Sequence, residues 1–219
     1  MVDEGKLDRD IGENPCFAGI YDLNGSRKPN KMGKDLQTFQ TASLNIHKGP
    51  AVLATVGGVK IISTAQKYDG IPTSTYCDTS DSDSDNWTVK SEYTKYGITR
   101  CCTSSDCTST VSGKGDRWAA AMIACQDMGG HLPTMEELAK IASELYGVTI
   151  GATETKSANL VKSKMPTVLS GMSSSWYGLW SSSEYSANNA YYRAFYSSGT
   201  SRYDDTRHFS NIRAVCVGD

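Results

Sequence analysis

The stretch "DRWAAAMIACQDMGGHLPTMEELAKIASELYG", residues 116–147, constrains the fold more than any other part of the chain. It contains two helices with readable starts and stops. Asp116 is placed to cap the first helix, and Trp118, Met122 and Cys125 recur at helical spacing. Gly129 or Gly130 suits the left-handed residue that ends it. Thr134 and Glu137 have the spacing of a capping box for the second helix. Leu138, Ile141, Ala142 and Leu145 form its apolar stripe, and Gly147 closes it. A helix with one apolar stripe must bury that stripe against another layer. The segments able to supply that layer follow: "GLWSSSE", "AYYRAFY" and "NIRAVCV" read as short strands between polar loops. Helices followed by strands predict an α+β architecture.

The rest of the chain is less regular. Residues 1–65 carry the short strand-like runs "DLQTF", "AVLATV" and "VKIIS", broken by "NGSRKPNKMG" and "GG". Residues 66–115 are dominated by Ser, Thr and Asp and hold four cysteines. They read as a disulfide-pinned insertion or loop without a core of its own. Three segments are therefore expected: 1–65, 66–115 and 116–219.

Composition narrows the function classes. The formal charge of −2 over 219 residues gives no polybasic footprint, which argues against a nucleic-acid partner. No run of about 18 apolar residues is present, so direct membrane insertion is not expected. The opening "MVDEGKLDRD" has neither a signal-peptide apolar region nor an anchor, and any such segment is expected to be absent or already removed. The seven cysteines, Cys16, Cys77, Cys101, Cys102, Cys107, Cys125 and Cys216, lack the paired spacing of a structural zinc site. In a Ser/Thr/Gly-rich chain they suggest a secreted, disulfide-linked protein. Their odd number leaves at least one thiol outside an intrachain pair.

"WAAAMIACQDMGGHLPTMEEL", "LWSSSEYSANNAYYRAF" and "IRAVCV" together resemble the bacterial branch of the C-type lectin fold, over roughly the last half of the chain. The resemblance implies two helices packed on short antiparallel strands. It also implies a first helix tied to the last strand, hence a Cys125–Cys216 disulfide. The "EPN" or "QPD" tripeptide and the "WND" of sugar-binding members do not occur, so calcium-bridged sugar recognition at that site is not implied. Formylglycine-generating enzymes share the fold but need a copper-binding cysteine pair near the C-terminus. Cys216 stands alone there, and this enzyme class is the third and weakest reading.

The same branch includes the variable proteins of diversity-generating retroelements, whose contact positions lie near the C-terminus. "YYRAFYSSGTSRYDDTRHFSN" has their Tyr, Ser, Asp, Asn, Arg and His palette. The resemblance implies contact positions at Tyr192, Arg193, Tyr196, Ser198, Tyr203, Asp204, Asp205, Arg207 and His208. Strand alternation turns Tyr191 and Phe195 to the core, and Arg193 shares their parity. The alternative is a fixed polar loop whose tyrosines lie flat on the sheet.

A second resemblance covers "YDLNGSRKPNKMGKDLQTF", residues 21–39, which is similar to a segment of type IV pilin-like proteins. It implies a pilin-like N-terminal part lacking its hydrophobic helix, and display on or near a pilus with other pilus subunits as partners. The alternative is a generic Gly/Asn/Pro turn between strands; Asp22, Asn24 and Asp35 have the chemistry to hold a cation, but turn chemistry alone explains them better. The expected protein is thus a surface-displayed adhesin with a diversified aromatic and polar site for a protein or glycan ligand. The alternative is a fixed-sequence structural minor pilin.

"DSDSDNWTVKSE" sets Asp81, Asp83, Asp85 and Glu92 at the first, third, fifth and twelfth places of a calcium loop, with Trp87 offering its carbonyl. Ca2+ is the one cofactor this suggests. Its flanks do not read as helices and the segment is Asp/Ser-rich throughout, so a plain acidic loop is the preferred reading. His47, His131 and His208 sit in unrelated contexts and the Ser-rich runs lack a G-x-S-x-G elbow, so no enzyme is expected.

Overall fold

The computed structural model describes residues 49–169 and 176–219. The pilin-like segment 21–39, Cys16 and His47 lie outside the described residues. Among the described residues two long helices, several short helical turns and three sheets make a mixed α+β unit.

The unit begins with a hairpin, β1 (Ala54–Val56) and β2 (Val59–Ile61), whose last pair is Val56↔Val59. Gly57 and Gly58 join the strands at φ +58° and +80°, a two-residue turn open mainly to glycine. Gly57 is required twice over, because a Cβ there would lie 2.2 Å from the carbonyl oxygen of Lys140. Val59 and Ile61 point inward while Lys60 points out. The C-terminal strand β10 (Val217–Gly218) pairs antiparallel with β2, Val217 opposite Ile61. The expected boundary at residue 65 is thereby corrected. Residues 50–65 supply the partner of the terminal strand, and the division between units falls at 49/50.

Helix α1 runs Arg117–Asp127, and the Asp116 carboxylate accepts the Ala119 amide at its start. Helix α2 runs Met135–Tyr146 with the complete Thr134/Glu137 capping box and ends at Gly147, φ +67°. The turn between them reaches β10, where His131 and Val217 exchange backbone hydrogen bonds of 2.9 Å. Cys125 of α1 is bonded to Cys216, immediately before β10. By loop-closure entropy, a link across 91 residues contributes about 4–5 kcal/mol.

The largest sheet has the order β5 (Lys156–Ser157), β8 (Gly199–Thr206), β7 (Asn189–Tyr196), β6 (Trp176–Glu184), β9 (Ile212–Arg213). All neighbours are antiparallel except β6 and β9. Each face packs into a separate core, while Arg202 and Tyr203 of β8 stay exposed. Tyr177, Leu179 and Phe195 join Leu138, Ile141 and Leu145 of α2 in one cluster. Trp180, Tyr192, Ala194 and Ile212 join Trp118, Met122 and Cys125 of α1 in the other. Residues 66–115 form the ribbon β3 (Cys77–Asp78) and β4 (Thr88–Val89) plus single helical turns, pinned by Cys77–Cys101 and Cys102–Cys107. Their Tyr76, Cys77, Ile98 and Cys101 pack into the α1-side cluster.

Candidate ligand-binding face

Strands β7 and β8 form a hairpin that places Tyr192 opposite Tyr203, Ala190 opposite Asp205 and Ala194 opposite Ser201. Because side chains alternate along a strand, these six share the α1 side of the ribbon. Tyr192 and Tyr203 lie 5.8 Å apart between ring centroids, tilted by 30°. Tyr203 is 44% exposed and Tyr192 only 8%, so one ring forms the wall of a shelf and the other its floor. Tyr192 also takes the edge of Trp180 at 5.9 Å. Its ring lies across Gly178, where an added Cβ would come within 2.8 Å of it. The glycine is what allows the tyrosine to lie flat.

The electrostatics of this shelf are acidic. Burial first, and then the negative charge of Asp205 with help from Tyr196, Tyr203 and Asp204, pushes the Tyr192 hydroxyl up to about 12. Burial, followed by the neighbouring Tyr203, also raises the Tyr196 hydroxyl. Tyr196 therefore belongs to the same cluster. Ser198 is exposed in the turn between the two strands. The Asp205 carboxylate accepts the Thr206 amide at 2.7 Å and remains half-buried. His208 lies farther along, with Nε2 at 3.1 Å from a carboxylate oxygen of Asp106.

Two of the expected contact positions are corrected. Arg193 and Arg207 are both fully buried. The Arg193 guanidinium donates to the carbonyls of Gly151 (2.8 Å), Ala152 (2.7 Å) and Glu154 (3.2 Å), locking the 151–154 loop to the sheet. Burial lowers its pKa to about 10, against the opposing pull of Glu154. Arg207 pairs with Asp116 at 2.7 Å and reaches Glu184 at 3.6 Å. It also donates to the Arg100 and Ala187 carbonyls and lies 4.5 Å over the Trp118 ring. Burial alone would lower the Arg207 pKa, but the charges of Asp116, Tyr76 and Glu184 outweigh it and raise the value. Both arginines hold the framework.

The opposite side of the ribbon carries residues that the sequence reading did not single out. Arg202 lies 4.8 Å over the Tyr191 ring, and Tyr185 meets the same ring edge-on at 5.2 Å. Asp204, expected beside Asp205, points to this side and accepts from Asn189 at 3.0 Å. Tyr191 is half-buried at the margin of the α2-side core, whereas Phe195 is fully buried and stacked between Tyr146 and Tyr177. Strand parity would have found Arg202, which immediately precedes Tyr203.

Among the described residues the expected calcium ligands Asp81, Asp83, Asp85 and Glu92 are not one of the close ligand groups. Asp81 accepts from the Asp83 amide (2.8 Å) and from Asn86 (3.1 Å), and Asp83 accepts from the Asp85 amide (3.1 Å). These carboxylates cap the turns of an exposed loop, while Glu92 opens a separate helical turn, Ser91–Tyr96. The Trp87 indole closes the loop by donating to the Asp81 carbonyl at 2.9 Å. Among the described residues the one close group of potential metal ligands is Cys102, Cys107 and Asp116. Its two sulfurs are bonded to each other, and its carboxylate is held by Arg207. His131 hydrogen-bonds Glu137 at 3.1 Å inside its own turn. Comparison of the chain with protein-family models, with curated proteins and with solved structures returned no match.

Proposed function

We propose that the chain is a surface-displayed binding protein of C-type lectin-like architecture, an adhesin that presents a diversified aromatic and polar site on the β7/β8 ribbon. The observation that carries this reading is the grouping of Tyr192, Tyr196, Tyr203 and Asp205 on one side of a hairpin whose framework is locked independently by buried Arg193, Phe195 and Arg207. Tyrosine supplies a large contact area at small entropy cost, and neighbouring Ser and Asp adapt their hydrogen bonds. The exposed members of the site, Ser198 and Tyr203, can change with little effect on stability, whereas Tyr192 is mostly buried. The disulfide from α1 to the segment before β10, the α2 layer and the antiparallel hairpin agree with the lectin-like arrangement.

Three disulfides fit an oxidising, extracellular setting, and none of the described helices is long and apolar enough to cross a membrane. Display on a pilus rests on residues 21–39 alone. The mechanism is recognition without turnover.

The test is deep sequencing of the 3′ end of the gene across a growing host population. The expected result is adenine-directed substitution in the codons for Tyr192, Tyr196, Ser198, Tyr203 and Asp205, with codons 193, 195, 207 and 212–217 unchanged. A uniform sequence would instead favour a fixed-sequence surface or pilus subunit.

A further inference from the structure

We propose, resting on that reading of the site, that the Tyr192/Tyr196/Tyr203/Asp205 shelf takes a cationic side chain, the lysine or arginine of a basic segment on a partner protein.

Residues 188–210 hold three arginines, and the fold withdraws each of them from the shelf. Arg193 is spent on the carbonyls of residues 151–154. Arg207 is buried against Asp116 and Trp118. Arg202 precedes Tyr203 and points to the other side of the ribbon, over Tyr191. What remains is a set of ring faces with a carboxylate beside them, and the charged groups acting on Tyr192 are the acids Asp205 and Asp204. An aromatic face carries negative potential and attracts a cation, more so where part of the site is desolvated.

The protein supplies its own precedent. On the reverse of the same two strands, Tyr191 is covered by the guanidinium of Arg202 at 4.8 Å. The shelf offers the equivalent rings plus an acid, and among the described residues no cation lies over them. Tyr203, the most exposed ring of the shelf, presents its outer part to solvent, and Tyr192 is packed against Gly178 and Trp180. Charge complementarity thus selects a basic partner over an acidic or neutral one.

The experiment uses the full chain and three labelled probes: an oligolysine peptide, an oligoglutamate peptide and a neutral oligosaccharide. Binding is read by fluorescence anisotropy at low and at raised salt. The expected result is saturable binding of oligolysine in preference to the other two. Y203L and D205N should each weaken it about tenfold, the size of one partly desolvated cation–ring contact. Y203F, which keeps the ring face, should bind like the parent. E136Q, which removes a charge from exposed α2 on the other side of the sheet, should also bind like the parent. Circular dichroism confirms that each variant is folded.

The proposal is overturned if oligolysine does not bind, if another probe binds better, or if E136Q loses as much as D205N, which would mean that net charge alone attracts the peptide. It is also overturned if Y203L leaves binding unchanged. Failure here together with adenine-directed variation in the gene would remove the cationic ligand and leave the binding face. Failure of both would remove the face as well.

Discussion

Replacing Arg207 with Met is the sharpest test of how the site is built. The guanidinium is fully buried, 2.7 Å from Asp116 and 3.6 Å from Glu184, and donates to two backbone carbonyls while covering the Trp118 ring. Methionine keeps some of the packing volume but removes the charge and its donors. Asp116 and Glu184 are then left in the interior without their cation. Removing one partner of a buried pair costs about 3–5 kcal/mol, chiefly because the other charge is stranded. For a unit of this size that corresponds to a fall of roughly 10–15 °C in Tm.

The assay is urea denaturation followed by tyrosine and tryptophan fluorescence, with calorimetry for Tm. Arg202→Ala on the exposed part of the same hairpin serves as the comparison and should cost under about 1 kcal/mol. Asp116→Asn in the Arg207→Met background should restore part of the loss, because it removes the stranded charge while asparagine still caps α1. A loss below about 1 kcal/mol for Arg207→Met, combined with weakened ligand binding, would refute the framework role. It would return Arg207 to the contact surface.

Two further outcomes follow from the packing around the shelf. Gly178→Ala should displace the Tyr192 ring, which the new Cβ would approach to 2.8 Å, at a cost of about 1–3 kcal/mol. Near-ultraviolet circular dichroism should change with it, and an unchanged spectrum with unchanged stability would contradict the flat placement of the ring. In alkali, absorbance near 295 nm should show two tyrosine classes. Burial, chiefly, holds Tyr192 and Tyr146 up to about 12 and lifts Tyr76 and Tyr177 above the ordinary tyrosine range. The folded state keeps these protons after the unfolded chain has lost them. Their contribution is complete below the unfolded value of about 10 and is lost as pH rises through the folded values. Ionisation of every tyrosine near pH 10 without unfolding would contradict their burial.

Much of the scaffold was legible locally. Helix capping depends on a few adjacent residues, so Asp116, the Thr134/Glu137 box and Gly147 announced both helices with their boundaries. The stripe of α2 announced its buried face for the same reason. The cysteine link from α1 to the last strand came with a resemblance rather than from spacing, and the fold contains it. The tyrosine positions 192, 196 and 203 were also named from sequence, and they meet on one side of the hairpin.

The tertiary structure decided everything that depends on what lies across the sheet. Strand parity tells which side chains share a face but not whether that face meets water. Here α1 and α2 cover the two faces of the same sheet, so Arg193 finds backbone carbonyls and Arg207 finds Asp116 from a distant helix start. The pairing of β2 with β10 joins residues more than 150 positions apart, which no local signal near residue 60 could disclose. The Asp81–Glu92 spacing likewise matched a cation loop in one dimension, whereas backbone amides captured the carboxylates in three. Sequence by itself determined the helices and the strand periodicity. Only long-range packing determined which side chains stay exposed, because burial is a property of what comes to rest against a side chain.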